Sequence, residues 1–259
     1  LPKPPTWDSI LLGREAGERV APPRLGSQLF EAAGHAILRT QGEAGLTAAL
    51  TFGPYGGFHG HFDKLSFVCF GHGRELGVDP GRAASQAYRL PIHNEWYRAT
   101  ISHNAVVVGG KSQAPARGRL ISFASNGNFA AALAACDEAY TLTQQRRCLL
   151  LTDSYLLVVD DLKAYKDKTF DWVYHNRGTG AACAAAGAEG KPAGLDGRNY
   201  IQNIRSGRCD STVRAAFTAR GVKTHLVAAG NEGTEVYTGD GTGASLDDRV
   251  PLVILRREG

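Results

Sequence analysis

The feature that most constrains this chain is a steady recurrence of short apolar runs separated by turn residues, with almost no stretch of helical period. Runs of strand length fall at 35–40, 46–52, 65–70, 105–108, 119–123, 129–134, 148–152, 155–159, 170–175, 213–218, 224–228 and 250–256. Apolar runs this short, bounded by Gly, Pro, Asn and Asp, read as strands rather than helices. Only 31–38 and 81–88 hint at helix. A chain with many short strands and few helices is expected to be all-β, a large antiparallel β-sandwich. Its 259 residues, 43% hydrophobic, are enough to bury a core. Gly71-His72-Gly73 predicts a tight connection between two strands. The Ala- and Gly-rich stretch 181–197 has no periodicity and is expected to be a mobile surface loop.

Charge and cysteine usage exclude several function classes. The net charge of +4 comes from scattered basic residues, which supports no contact with nucleic acid and no basic membrane patch. No apolar stretch approaches the roughly 18 residues of a membrane span. Cys69, Cys136, Cys148, Cys183 and Cys209 show no CxxC spacing, so a thiolate zinc site is not expected; Cys69 and Cys148, in apolar strand-like runs, read as small core residues. The opening Leu1-Pro2-Lys3-Pro4-Pro5 has no charged-then-apolar leader pattern. A chain that starts at Leu1 and ends on a strand run reads as a piece of a longer protein. Residues 1–28, rich in Pro and Gly, are expected to be a linker and the remnant of a preceding helical domain, and 29–259 the sandwich.

Ionisable side chains crowd into two places. In His59-Gly60-His61-Phe62-Asp63-Lys64-Leu65-Ser66-Phe67, strand alternation would set His59, His61 and Asp63 on one face, ahead of Leu65, Phe67 and Cys69. The second cluster is Trp96-Tyr97-Arg98-Ala99-Thr100-Ile101-Ser102-His103-Asn104. Imidazole and carboxylate donors suit zinc or iron. One candidate ligand set is His61, Asp79 and His103. Another is His61, Asp63 and His103, the two-His-one-carboxylate pattern of iron oxygenases. A simple hairpin through Gly71–Gly73 would set Asp79 opposite about Leu65, so spacing alone does not choose between them.

The strings FHGHFDKLSF, GRELGVDPG and LPIHNEWYRATISHNAVVVGGKSQ, in that order, resemble heparinase II/III-like polysaccharide lyases. HGHFDKLS is most like the alginate lyase branch. The resemblance continues through RCLLLTDSYLLVVDDL and FDWVYHNRG, covering residues 29–178 well and the rest loosely. It implies the C-terminal sandwich of a toroid-plus-sandwich enzyme, with an N-terminal helical toroid as its partner domain. It further implies an active-site role for His59 and a structural zinc on His61, Asp79 and His103. For those three to share an ion, the strand must leave simple register before Asp79 by a bulge or bend. The family also has a catalytic tyrosine between Asp79 and His103. Tyr88 is the nearest match, while alignment on Leu90-Pro91 and Trp96 puts Arg89 at the tyrosine position.

The function so implied is β-elimination on an anionic polysaccharide, a uronic-acid polymer with alginate foremost, by a protein placed in the periplasm or secreted. Arg89, His93 and Arg98 are expected near the substrate, and Trp96 could stack on a sugar or, as an aromatic beside a strand, pack in the core. Tyr97 is expected to pack, and His175 to cap a sheet edge over the cleft. Two other readings are a carbohydrate-binding or scaffold sandwich that keeps zinc without catalysis, and the iron oxygenase above.

Overall fold

The computed structural model describes residues 7, 25–42, 44–81, 83 and 89–259. Among these, 17 strands form antiparallel sheets and the helical pieces are single turns. No helix among them is long and apolar enough to cross a membrane. A five-stranded meander runs β1 (Gln28–Phe30), β2 (His35–Arg39), β3 (Thr47–Thr51), β4 (Phe67–Gly71) and β5 (Arg74–Gly77). A six-stranded sheet joins β6 (Val106–Val108), β11 (Thr169–His175), β17 (Arg249–Glu258), β16 (Thr234–Thr242), β13 (Gln202–Cys209) and β12 (Ala188–Glu189), in that order. A four-stranded sheet orders β7 (Arg119–Ser125), β8 (Phe129–Ala135), β9 (Thr143–Thr152) and β10 (Leu156–Ala164) side by side. The hairpin of β14 (Val213–Ala219) and β15 (Val222–Ala228) completes the set.

Alternation decides the packing. In β3 and β8 every second side chain is buried, so each strand shows one face to the core and one outward. The five- and four-stranded sheets meet face to face, β2 on β8 and β3 on β9. Ala36, Leu38, Ala48 and Leu50 there share a core with Ala130, Ala132, Ala134, Leu149 and Leu151. β17 is different: Val250 to Leu255 are all buried. The six-stranded sheet is covered on both faces, since a second core of Trp96, Tyr97, Ile101, Val107, Val173, Leu252 and Ile254 lies apart from the first. That is why 250–256 reads as an unbroken apolar run.

All twelve expected strands are present. Short or polar strands escaped notice: β1, β5, β12, β13 and β16. The helical hint over 31–38 is corrected: 31–34 is the turn between β1 and β2, and 35–39 is strand. The hint over 81–88 falls almost wholly outside the described residues, as does most of the expected linker, although Gln28 already pairs with Ile37. The stretch 181–197 is not a free loop. Ala182 bridges Ala216, β12 pairs with β13, and Leu195 is 1% exposed. The stretch packs closely on β13: a Cβ on Gly207 there would sit 1.7 Å from the Ala185 carbonyl oxygen.

One buried ion pair ties the two sandwich layers to the histidine-bearing loops. Arg147 on β9 faces its cross-strand partner Asp160 on β10. Its Nε and Nη2 donate to the two carboxylate oxygens at 2.7 and 2.9 Å. Its Nη1 donates to the carbonyls of Leu65 (2.7 Å) and Asn104 (2.6 Å). Trp172 Nε1 adds a hydrogen bond to Asp160 at 3.0 Å. Asp160→Ala would leave a buried guanidinium without its counter-charge and should cost about 3–5 kcal/mol in denaturant unfolding. A loss below about 1 kcal/mol would show that the pair does not hold the fold.

His175, at the end of β11, is fully buried rather than capping a sheet edge. Its amide donates to Asn104 Oδ1 at 2.7 Å, and its ring meets Trp96 edge-on. Burial, helped by the charge of His103, pushes its pKa down to about 3. Between about 3 and the unfolded value near 6.5 the unfolded chain therefore binds the extra proton. Stability should fall as pH drops through that window and level off above it. His175→Gln is expected to flatten this acid limb in melts taken across the range; an unchanged limb would place the acid sensitivity elsewhere.

Candidate active-site pocket and histidine cluster

The stretch 59–66 is not a strand, which corrects the expected one-face alignment of His59, His61 and Asp63. Residues Gly57–His59 form a 3-10 turn, and 60–66 follow as an irregular loop in which Leu65 has φ of 62°. Tertiary bonds override alternation here. Phe62 N donates to Arg98 O at 2.9 Å, and Thr100 Oγ1 donates to Phe62 O at 2.7 Å. Gln113 pairs with Lys64 through both its amide atoms, at 2.8 and 2.9 Å. The ends of the His59 turn touch so closely that a Cβ on Gly60 would lie 2.6 Å from Gly56 N. Glycine is required there on steric grounds alone.

This loop leaves His59 exposed at the edge of a pocket of about 280 Å³. Its other walls include His35, Thr51, His61, Asp63 and Lys64, with Gly53, Gly56 and Gly60 as bare backbone.

His61, Asp79 and His103 do converge. The bend that their meeting requires is present: a bulge between Cys69 and Phe70 shifts the β4–β5 register, and Val78 then bonds to His175 O. His103 Nδ1 lies 2.8 Å from Asp79 Oδ2, and the His61 and His103 ring centroids are 5.3 Å apart. Burial works to raise the Asp79 pKa. The charge and hydrogen bond of His103, with the Gly81 amide, outweigh it and hold the carboxyl down at about 2. Burial pulls His103 down, but Asp79 more than offsets this and its pKa is raised. His61 is lowered by burial and by the His103 charge. The rival carboxylate Asp63 is tied to the buried Lys64 at 2.6 Å, so Asp79 is the better partner for His103.

As they stand, no three or more His, Cys, Asp or Glu side chains among the described residues are arranged to hold a metal ion. The donor chemistry nevertheless fits zinc, with two imidazoles and one carboxylate. His103 Nε2 is also buried without a hydrogen-bond partner, a polar atom that this arrangement leaves unsatisfied.

The expected substrate residues separate. Trp96 is corrected to a core residue: it is 0% exposed, and its Nε1 donates to Thr242 O at 2.7 Å, so no sugar can stack on it. Tyr97 packs as expected, its hydroxyl donating to Gly243 O. Arg98 is a loop clamp. It donates to Gly60 O at 2.9 Å and to the Tyr55 hydroxyl, and its guanidinium lies 5.4 Å from the Phe62 ring centroid. His93 starts the turn that carries Arg98, and burial followed by the Arg98 charge lowers its pKa. Arg89 is exposed, and none of Arg89, His93, Trp96 and Arg98 lines the pocket. Tyr88 lies outside the described residues. The sequence reading missed His35, Tyr55 and Gln113. Alternation in β2 does set His35 opposite the buried Ala36 and Leu38, but nothing in the sequence sets it beside His59.

Comparison with known proteins bears on this geometry. The chain is 30% identical over 134 residues to an exo-oligoalginate lyase of Saccharophagus degradans, covering 44% of this chain and 18% of that protein. It is 35% identical over 86 residues to an alginate lyase of Stenotrophomonas maltophilia, covering 30% and 12%. It thus spans less than a fifth of either curated relative. In fold it resembles the heparan sulfate lyase HepC of Pedobacter heparinus, with a TM-score of 0.64 at 15% identity over 97% of this chain and 38% of that one. A heparinase III structure gives 0.55 at 16% identity, over 91% and 37%. The Heparinase II/III-like, C-terminal family matches residues 22–242. With most of its length matched and the β-sandwich in place, the chain belongs to the heparinase II/III-like polysaccharide lyase family, as its C-terminal domain.

Proposed function

We propose that the full-length protein cleaves a uronic-acid polymer by β-elimination, with alginate the first candidate, and that this chain forms one wall of the cleft. The observation that carries the reading is the exposed His59 imidazole, held on a closed turn at the edge of a pocket it shares with His35 and His61. Alginate is favoured because both curated relatives described above are alginate lyases by name. Those relatives are far longer than this chain, which supports a further, toroid-like domain as the other wall. Such a polymer would be met in the periplasm or outside the cell, and we assign the protein there.

In the reaction a base removes the C5 proton beside the carboxylate. The C–H electron pair becomes the C4–C5 double bond, the C4–O4 bond breaks, and O4 leaves with a proton from an acid. The C5 proton is weakly acidic, so hydrogen bonds must offset the charge that builds on the carboxylate in a water-poor cleft. His59 is free to move a proton at the pocket edge, and Tyr88 is its proposed partner. Zinc on His61, Asp79 and His103 would supply a fixed charge that holds the loop carrying His59.

In the full-length protein, His59→Ala is expected to lower turnover of alginate about 10²–10⁴-fold, followed as unsaturated uronate absorbance, with the melting temperature unchanged. Undiminished turnover would remove His59 from the reaction. Binding of oligouronates with no unsaturated product from the unmodified protein would favour the non-catalytic carbohydrate-binding sandwich.

Metal analysis should find about one zinc per chain, the ratio of a structural site. Asp79→Ala should lose the zinc and lower the melting temperature, since an ion bound only by the native state stabilises it. A metal-free protein that melts identically with and without added zinc would dismiss the metal.

A further inference from the structure

The pocket beneath His59 has a second wall that β-elimination does not by itself explain. His35 opens β2, and its Nδ1 lies 3.4 Å from Oγ1 of Thr51, its cross-strand partner on β3. The tautomer in which Nδ1 accepts from that hydroxyl carries its proton on Nε2 and remains a donor. Asp63 is the one carboxylate among the lining residues, and Lys64 already holds it at 2.6 Å. The ionisable walls left over are the imidazoles of His35, His59 and His61. Gly53, Gly56 and Gly60 contribute no side chains, which leaves a floor of bare backbone. A concave site with nitrogen donors and no unpaired carboxylate suits an anionic ligand.

We propose that this pocket is an anionic subsite in which His35 donates a hydrogen bond to the carboxylate of a uronate flanking the one that loses its C5 proton, a carboxylate whose charge does not change in the reaction. The inference rests on the lyase reading above and adds a specificity residue to it. His35 contributes binding that is equal in the ground and transition states, so its loss acts on KM and leaves kcat alone.

The test uses the full-length protein with alginate oligomers, comparing the unmodified enzyme, His35→Ala and His35→Gln. His35→Ala is expected to raise KM about tenfold, the worth of one hydrogen bond to a charged group. His35→Gln, which keeps a donor, should recover most of that loss, and kcat should be unchanged in both. An unaltered KM in His35→Ala, or a fall in kcat at constant KM, would overturn the subsite while the lyase reading stands. No turnover by the unmodified protein would overturn both. Should His35→Ala fail to fold, oligouronate can be titrated into the full-length His59→Ala protein while imidazole NMR signals are followed. Movement of the His35 signal supports the subsite, and a stationary signal while that of His61 moves overturns it.

Discussion

One buried guanidinium does more than any other group to bring the parts of this molecule together. Arg147 sits inside the sandwich, 1% exposed, where an unpaired charge would be strongly unfavourable. Asp160 takes two of its N–H groups, and the carbonyls of Leu65 and Asn104 take the third nitrogen. The plane of the guanidinium fixes the directions of all four bonds. Through them, the loop that follows His61 and the loop that follows His103 are referred to the same pair of strands, β9 and β10. The Phe67 ring, 5.5 Å from the guanidinium carbon, seats the same group from the side of β4.

Around that centre the loops are held by polar contacts rather than by apolar burial. Asn104 donates to Phe67 O and Val78 O and accepts from the His175 amide. It thereby sets the segment leading to Asp79 against the end of β11. Gln113, Thr100 and Arg98 do the same for 60–66. With each loop backbone bonded to a different strand or turn, His59 can be exposed without being loose. The His103–Asp79 pair is the electrostatic counterpart: each partner moves the other's pKa toward the charged form, against burial.

The family relationship and the geometry supply different things. Belonging to the heparinase II/III-like lyases accounts for the sandwich. Only a minor share of the length of the related proteins is represented here. His59 and the other pocket walls belong to the five-stranded sheet, its β1–β2 turn and the loop between β3 and β4. The groups expected from the 89–98 region instead clamp that loop, as Arg98 does, or fill the second core, as Trp96 does.

Strand content was legible because burial on one face leaves a period of two, and burial on both faces leaves an unbroken apolar run. β8 and β17 are the plainest cases. The convergence of His61, Asp79 and His103 could be inferred from the resemblance together with the register argument, and the bulge at Cys69 supplies the bend. What sequence could not show is whatever depends on a partner distant along the chain. Alternation pointed to a strand through 59–66, yet bonds to Arg98, Thr100 and Gln113 turn it into a loop. The Ala- and Gly-rich 181–197 looked unstructured because small side chains carry no hydrophobic period, although they allow backbone to approach backbone. The amino-acid order by itself thus determined the apolar strands, their buried faces and the residues with the means for chemistry. The tertiary structure alone decided which of those residues face a common space, because hydrogen bonds between distant segments set the path of each loop and leave no local pattern in the chain.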